Sequence, residues 1–406
     1  MNYLREIDRK NEIFEQNNLT TTIIQNRINK LLVKNKKNIS FNELNNKNIS
    51  EKRYSTKELG EYADYLNTFP IKENNISNYS FCENPKISII IPTHNYKKFI
   101  YILHKSIQEQ SFTDIEIIYI DDFSTDNSTQ LIENLQKKDK RIIILKNKEN
   151  KGPFYSRNKG AIFARGEYIQ FLDGDDLLVG DILQKAYITA KTKNIDVVQY
   201  FFIQKHGKDN FKISEITKKG IIYQPELGDQ MFYGKGYLEQ TNYYVLNKII
   251  KTEIFLKALL LIGDDVLKIK LFYNEDLLQL FCLLRVSNSF LFIEHTGYIH
   301  FNREENKLSL VKNSHNPGYA NRIFHDNFVE LRALYKITKN NKHDKALCLE
   351  FLKMNNMIYW PITSKITKGY ELFDEVFDLL MNSEYFNDNQ KHKFKELRKK
   401  MMKNRK

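Results

Sequence analysis

Two short segments of the chain concentrate carboxylates among small or polar residues. One reads Asp121-Asp122-Phe123-Ser124 and the other reads Asp173-Gly174-Asp175-Asp176. Such grouping costs electrostatic energy unless a cation or hydrogen-bond donors are shared among the acids. Mg²⁺ or Mn²⁺ takes carboxylate oxygens as ligands and leaves positions for a diphosphate. The pattern favours metal-assisted chemistry on a phosphorylated substrate, although each Asp taken singly is also an ordinary helix cap or turn former.

Two further segments carry chemistry-bearing side chains. Pro92-Thr93-His94-Asn95 follows an apolar run, and Glu275-Asp276 stands at the start of a helical pattern. A carboxylate in a site can act as a general base toward a hydroxyl. An acidic pair in a first helical turn also favours the helix dipole without any catalytic role. Both interpretations of Glu275-Asp276 remain open from the residues alone.

The elements that position these segments alternate between apolar runs and helical patterns. Continuous apolar runs predict strands buried on both faces at residues 87–91, 115–120, 141–145 and 168–172. Asn95 is expected to cap the first helix and Asp126 the second. The third helix is expected to begin at Gly152-Pro153 and to end at Gly166. This order predicts an α/β fold with a mostly parallel sheet flanked by helices. Ligands of such a sheet lie outside the carboxyl ends of the strands, where the three polar loops fall.

The chain divides into four predicted regions. Residues 1–80 are expected to be a polar extension that is helical or partly disordered, and residues 81–205 carry the first strands and the acidic loops. Residues 206–310 contain the Glu-Asp pair, and residues 311–406 form a helical C-terminal region with a basic tail. The two central regions are expected to form one catalytic or binding domain.

Composition bounds the function. The 406 residues carry a formal charge of +13, which favours phosphate-bearing partners. No run reaches the ~18–20 apolar residues of a transmembrane span, and the N-terminus lacks an apolar signal-peptide core, so a cytoplasmic location is expected. Three widely spaced cysteines, without a Cys-x-x-Cys pair, argue against a disulfide framework and a cysteine zinc site: Cys82, Cys282 and Cys348.

The last sixteen residues, Lys391 to Lys406, hold nine Lys or Arg and one Glu, a net charge of +8. A basic helix with interleaved apolar residues is typical of contact with an anionic membrane surface. A solvated, frayed tail is the alternative. Nucleic acid is disfavoured as a partner because no recognition module accompanies the charge.

Five linked segments resemble family 2 glycosyltransferases of the GT-A fold, in order and in spacing. The resemblance is dense over residues 86–205 and thins out toward residue 310. The segments that carry it are Ile87-Ser88-Ile89-Ile90-Ile91-Pro92-Thr93-His94-Asn95, Ile120-Asp121-Asp122-Phe123-Ser124-Thr125-Asp126, Asn150-Lys151-Gly152-Pro153, Ser156-Arg157-Asn158-Lys159-Gly160, and Gly166 through Asp176.

The resemblance implies roles for particular residues. Asp276 would be the base and Glu275 its neighbour, and Asp175, with His300 as a further ligand, would hold Mn²⁺ or Mg²⁺. Asp173 would lie near the ribose. The whole set implied to bind the nucleotide-sugar is Pro92, Thr93, His94, Asn95, Asp121, Asp122, Arg157, Asp173, Gly174 and Arg303.

The function implied is that of a metal-dependent, inverting glycosyltransferase in polysaccharide biosynthesis, of the hexosyl or N-acetylhexosaminyl class. A UDP-sugar is the favoured donor, and the acceptor hydroxyl would belong to a glycan, a glycolipid or a glycoprotein. Leu246 stands where the family usually has Trp, and Phe123 stands where Gly is frequent. The first departure removes an expected acceptor-side aromatic, and the second would crowd the base pocket. No Gln-x-x-Arg-Trp element of processive synthases is present, which favours single addition.

Two alternatives use the same sheet. A non-catalytic GT-A scaffold would bind a nucleotide or a glycan without turnover, and peripheral attachment to the cytoplasmic membrane face would be compatible with either function. Nucleotidyl transfer would also place acids around Mg²⁺, but it predicts a Gly-rich triphosphate loop near the first strand. Pro92-Thr93-His94-Asn95 contains no Gly.

Overall fold

The computed structural model describes residues 2–17, 21–35, 76–205, 211–213, 220–223, 244–272 and 275–301, together with scattered positions between 322 and 399. The described strands are β1 Ile87–Thr93, β2 Ile115–Asp121, β3 Ile142–Lys146, β4 Tyr168–Phe171, β5 Leu177–Leu178, β6 Val197–Lys205, β7 Phe211–Ile213, β8 Ile221–Tyr223, β9 Lys248–Lys251 and β10 Ser289–Phe301. The described helices are α1 Asn2–Asn17, α2 Thr21–Asn35, α3 Ile100–Gln108, α4 Ser128–Lys138, α5 Gly152–Phe163, α6 Ile182–Lys193, α7 Thr252–Ile262, α8 Asp264–Leu267 and α9 Glu275–Val286.

One sheet runs through the described residues in the order β3-β2-β1-β4-β9-β6-β10-β5. The first four strands pair in parallel, so β1, β2 and β4 end at the same edge. β9 then runs antiparallel between β4 and β6, and β6 pairs in parallel with β10. The expected α/β architecture is therefore confirmed, and the acidic segments fall at one edge of its parallel half.

The strands were predicted because their apolar runs are continuous. Every residue of β1, β2 and β4 is buried, which is what helices packed on both faces of a parallel sheet require. α5 begins at Gly152 and packs against β1 and β2, as the sequence indicates. It ends at Phe163, before Gly166. Gly166 instead lies so close to β1 that a Cβ there would stand 2.5 Å from the Ser88 nitrogen.

The predicted start of the first helix was wrong. α3 begins at Ile100 without a side-chain cap, and Asn95 lies in the left-handed region with φ 61°. Its amide oxygen accepts a hydrogen bond from the Thr125 nitrogen at 2.8 Å. Asn95 therefore joins two loops instead of starting a helix. Asp126 comes closer to its expected role, because its carboxylate accepts the Ser128 N–H at 3.0 Å at the start of α4.

The terminal regions contribute helices to the described structure. α1 packs against β3, and α2 packs against α7. No helix among the described residues is long and apolar enough to cross a bilayer. In the predicted basic tail, Arg398 pairs with Asp374 at 2.9 Å and with Asp378 at 3.3 Å, while residues 400–406 lie outside the described residues. The domain limits drawn from the sequence stay a prediction.

Candidate active site

The loops after β1 and β2 are joined by hydrogen bonds. The Asp122 N–H donates to the Thr93 carbonyl at 2.8 Å. His94 Nδ1 lies 2.8 Å from the Asp122 carbonyl oxygen, so this nitrogen is the donor. Asn95 N donates to Ser124 Oγ at 3.1 Å. Thr93, His94, Asn95 and Asp122, all predicted from the sequence to face the nucleotide, are thus held in one polar rim.

Asp122 is buried and its carboxylate is fully engaged. One oxygen accepts Asn147 Nδ2 and the Lys151 N–H, each at 2.7 Å, and the other accepts the Gly152 N–H at 2.7 Å. Two of these donors are backbone groups at the start of α5, where an anion is favoured by the helix dipole. Asp122 therefore fixes α5 against the loop. A base contact by this carboxylate stays a prediction, and it would have to share these oxygens.

Phe123 occupies a strained position in this rim. Its φ is 65°, a left-handed conformation that costs a non-glycine residue about 1–2 kcal/mol. Its side chain is 53% exposed. The neighbouring Asp121 and Ser124 are tied together through the Ser124 N–H and the Asp121 carboxylate at 3.2 Å. The expectation that Phe123 crowds the base pocket stays a prediction; the ring that would do so stands at the surface.

The second acidic loop follows β4 and is anchored by Asp176. This carboxylate is fully buried and accepts Tyr298 Oη at 2.7 Å, the Phe301 N–H at 3.0 Å and His300 Nδ1 at 3.0 Å. Tyr298 Oη also accepts the Asp173 N–H at 3.2 Å. All of these partners come from β10, more than 120 residues away in the chain. Asp176 is thus the structural member of the acidic loop, a role that no sequence pattern identified.

Gly174 is required by close packing in the same loop. A Cβ at this position would stand 2.4 Å from Cδ2 of Tyr96, which is far inside van der Waals contact. The half-buried Tyr96 ring therefore lies directly on the backbone between Asp173 and Asp175. This contact joins the β1 loop to the acidic loop.

Arg157 brings the two predicted halves of the site together. Its Nη2 donates to Asp173 Oδ1 at 2.8 Å, and its Nη1 donates to Glu275 Oε1 at 3.1 Å and to Asp276 Oδ1 at 2.9 Å. The Arg157 side chain is 4% exposed. The resemblance implied that Arg157 binds the nucleotide-sugar, a role that stays a prediction, and Asp173 belongs to the acidic loop after β4. Here Arg157 supports that loop and also holds the Glu-Asp pair at the start of α9.

The cluster has more negative than positive charge, and its pKa values reflect this. Burial, followed by repulsion from Asp276, raises the pKa of Glu275. Burial also raises the pKa of Asp276, although Arg157 opposes the shift. Glu330 is a third buried carboxyl, whose pKa is raised well above its ordinary value by burial and then by Glu275. A carboxylate with a raised pKa is a stronger base, which suits Asp276 for accepting a proton.

A buried lysine faces this cluster from β9. The Lys248 amine donates to the Tyr244 carbonyl at 2.5 Å and to Asn247 Oδ1 at 3.2 Å. Burial lowers the pKa of Lys248 to about 7, while the field of Asp276 opposes this shift. Lys248 is therefore a buried amine within the electrostatic field of Asp276, and it is predominantly charged only below about pH 7.

Leu246, which stands where the family usually has Trp, lines a small cavity of about 10 Å³ beside the acidic loop. The aromatic character expected at this wall is supplied by neighbours instead. Tyr244 packs edge-on against Phe202 with centroids 5.8 Å apart, and its ring lies 6.1 Å from that of His300. The cavity is lined by Phe202, Tyr244, Leu246, Asn247, Tyr298 and His300.

A divalent metal held by Asp175 and His300 stays a prediction; the donor types suit one, provided that substrate completes its shell. Histidines that bind metals commonly donate one N–H to a carboxylate, as His300 Nδ1 does to Asp176. Burial would lower the pKa of His300, but Asp176 raises it to about 9, so a metal would displace a proton. Within the described ranges no three His, Cys, Asp or Glu side chains form a complete cage. Asp175 and His300 would therefore need diphosphate oxygens as partners.

Most residues predicted for the site lie at one edge of the sheet. Arg157, Asp173, Glu275 and Asp276 are in direct contact, and the acidic loop is tied to His300 through Asp176. Arg303 lies outside the described residues. The anchoring role of Asp176 was missed, and so were the contacts of Tyr298, Tyr96 and Lys248, because the partners come from distant parts of the chain.

Comparison with known proteins agrees with this geometry. Residues 88–255 match the family model described as glycosyl transferase family 2. The chain is 38% identical over 147 residues to a Campylobacter jejuni GalNAc(5)-diNAcBac-PP-undecaprenol beta-1,3-glucosyltransferase, which covers 34% of this chain and 48% of that protein. It is 30% identical over 185 residues to the uncharacterized glycosyltransferase EpsJ of Bacillus subtilis, which covers 45% and 52%. The chain spans about half the length of these curated relatives.

Among solved structures, Staphylococcus aureus TarS 1–349 in complex with UDP-GlcNAc has a TM-score of 0.56 at 18% identity, covering 79% of this chain and 89% of that one. The complex of TarS 1–349 with UDP has a TM-score of 0.51 at 19% identity, with the same coverage. These likenesses concern the fold, which is the GT-A fold. The family that residues 88–255 of this chain match is glycosyl transferase family 2.

Proposed function

We propose that the protein is an inverting glycosyltransferase that moves a sugar from a nucleoside-diphosphate sugar to an acceptor hydroxyl. The observation that carries the proposal is the contact of Arg157 with Asp173 on one side and with Glu275 and Asp276 on the other. The loop predicted to bind the donor thereby lies next to Asp276, a carboxylate that is 14% exposed and has a raised pKa. A donor site and a base in contact are what direct displacement at an anomeric carbon requires.

In the proposed reaction, Asp276 accepts the proton of the acceptor hydroxyl as that oxygen attacks the anomeric carbon. Attack occurs on the face opposite the leaving diphosphate, so the configuration is inverted. Arg157 favours the ionised form of Asp276, which keeps it ready to accept a proton. A divalent cation bound by Asp175 and His300 would neutralise the charge that develops on the leaving diphosphate.

A UDP-sugar is the proposed donor. Support comes from the TarS structures, which contain UDP and UDP-GlcNAc, and from the shared fold. The donor sugar is proposed to be a hexose or an N-acetylhexosamine. The acceptor is proposed to be a glycan, lipid-linked or protein-linked hydroxyl. The undecaprenol-linked acceptor in the Campylobacter relative's name makes lipid-linked acceptors the first to test.

Turnover is tested by incubating the protein with UDP-glucose, UDP-galactose or UDP-GlcNAc and Mn²⁺, with and without lipid-linked glycan acceptors, and measuring UDP release. Asp276→Asn is expected to lower turnover by about 100-fold or more while UDP binding persists, because only proton transfer is removed. Asp175→Ala is expected to weaken metal-dependent UDP binding.

Asp114→Asn serves as the matched control. Asp114 is exposed and immediately precedes β2, at the opposite end of that strand from Asp121. This variant should retain wild-type turnover. Tight UDP binding without hydrolysis or transfer from any donor would identify a binding scaffold instead. Normal turnover in Asp276→Asn would place the base elsewhere.

A further inference from the structure

We propose that Phe123 is a stacking platform for the base of the nucleotide donor. The inference rests on the proposed function and adds to it a residue that contacts the ligand's base. It starts from two unfavourable features at one position, a left-handed backbone with φ 65° and a phenyl ring that is 53% exposed. Glycine would avoid both.

Nothing in the described part of the chain compensates for these features. Phe123 makes no ring–ring or cation–ring contact with a described residue, unlike the nearby Tyr96 and Phe99, whose centroids are 6.4 Å apart. Strained residues persist where the surrounding structure fixes them, and they cluster at ligand sites. The surroundings here do fix it, because the backbone N–H of Asp122 bonds to Thr93 and that of Ser124 bonds to Asp121. The rigid loop therefore presents the ring to a partner absent from the protein itself.

The position of the loop identifies which end of a donor the ring would meet. β2 lies two strands from β4, with β1 between them. At a strand spacing of about 4.8 Å, the loop after β2 is roughly 10 Å from the acidic loop after β4. The sugar and the diphosphate are proposed to react near Asp173, Asp175 and Asp276. A ligand extending from there across β1 reaches Phe123 with its base.

The local charge agrees with a base. Phe123 is flanked in sequence by Asp121, Asp122 and Asp126, and His94, in the loop after β1, donates to the Asp122 carbonyl. An acidic loop of this kind disfavours a phosphate that carries no metal, whereas a neutral planar base with N–H donors suits it. Stacking on an aromatic ring requires only the base's π face, so either a pyrimidine or a purine would fit.

The test measures binding of UDP with Mn²⁺ and, separately, of inorganic pyrophosphate with Mn²⁺, by calorimetry. Phe123→Gly should weaken UDP binding about tenfold, since stacking is lost, and should leave pyrophosphate binding unchanged. Its thermal midpoint without ligand should equal or exceed that of the wild type, because glycine adopts φ 65° without strain. Loss of affinity together with undiminished stability separates a ligand contact from damage to the fold.

Two further variants keep the bulk of the side chain. Phe123→Tyr should bind UDP as the wild type does, and Phe123→Leu should resemble Phe123→Gly. Equal UDP affinity in Phe123→Gly and wild type would overturn the inference, and so would equal weakening for UDP and pyrophosphate. If the wild type bound neither UDP nor GDP, the proposed function would fail first, and the platform with it.

Discussion

Replacing Arg157 by Met should destabilise the protein in a way that depends on pH. Arg157 is the shared cation of three carboxylates, and it is 4% exposed, while Asp173, Glu275 and Asp276 are 24%, 10% and 14% exposed. Removing one partner of a buried ion pair costs about 3–5 kcal/mol. Because water still screens the carboxylates in part, we expect the lower end, about 3 kcal/mol of unfolding free energy near pH 8.

The sign of the pH dependence follows from the carboxylates. The pKa values of Glu275 and Asp276 are already raised by burial, and they rise further in the folded variant because the cation that favoured ionisation is gone. A group with a raised folded pKa binds more protons in the folded state, so stability falls as pH increases toward that pKa. The loss of unfolding free energy in Arg157→Met relative to wild type should therefore be smaller near pH 5.5, where the carboxyls are more protonated. Urea unfolding followed by circular dichroism at both pH values measures it.

Two comparisons isolate the cause. Arg165→Met removes a cation from a different buried carboxylate, Glu116, with which Arg165 Nε pairs at 2.7 Å. This variant should lose stability but keep transfer activity, whereas Arg157→Met loses both. Glu275→Gln in the Arg157→Met background should restore part of the stability, since one uncompensated acid is removed.

A loss of unfolding free energy under about 1 kcal/mol in Arg157→Met would contradict this account, because removing the shared cation of three partly buried acids should cost more. An equal loss at both pH values would contradict it as well. In that case the three carboxylates are not the groups left unpaired.

Three further results are expected. Asp176→Asn should lower the thermal midpoint and weaken metal-dependent UDP binding. The amide nitrogen replaces one of the oxygens that accept hydrogen bonds from Tyr298, His300 and the backbone of β10, which leaves a buried group unpaired at a cost of about 1–3 kcal/mol. Unchanged UDP binding would contradict the anchoring role. Gly174→Ala should reduce UDP affinity, since its Cβ would stand 2.4 Å from the Tyr96 ring, and calorimetry measures this; unchanged affinity would mean that the ring moves freely. Lys248→Met should gain unfolding free energy relative to wild type as pH falls from about 10 toward 7. The reason is that the pKa of Lys248 falls to about 7 on folding, while the unfolded chain still binds the proton in this range. Urea unfolding between pH 7 and pH 10 tests this expectation, and a pH-independent difference between the two proteins would refute it.

Local features of the sequence located the parallel half of the sheet well. Strands buried on both faces are mostly apolar, so residues 87–91, 115–120 and 168–172 stand out as nearly continuous apolar runs, each with one polar residue: Ser88, Glu116 and Gln170. The start of α3 was placed about one turn too early, at Asn95. The Asn95 side chain bonds to the neighbouring loop, and its backbone is left-handed. A capping residue and a loop-bridging residue have the same side chain, so sequence alone does not separate them.

By itself, the sequence determined which residue types stand at which strand ends, since the polar loops must meet wherever parallel strands end together. Only the tertiary structure decided how the acids divide their work. Asp176 became an anchor because β10 brings Tyr298, His300 and the Phe301 N–H to it. Arg157 bonds to both Asp173 and Asp276, and Asp276 lies 119 residues after Arg157 in the chain. Such contacts depend on how α5, β10 and α9 pack, and packing is set by burial over the whole domain, which no local pattern records.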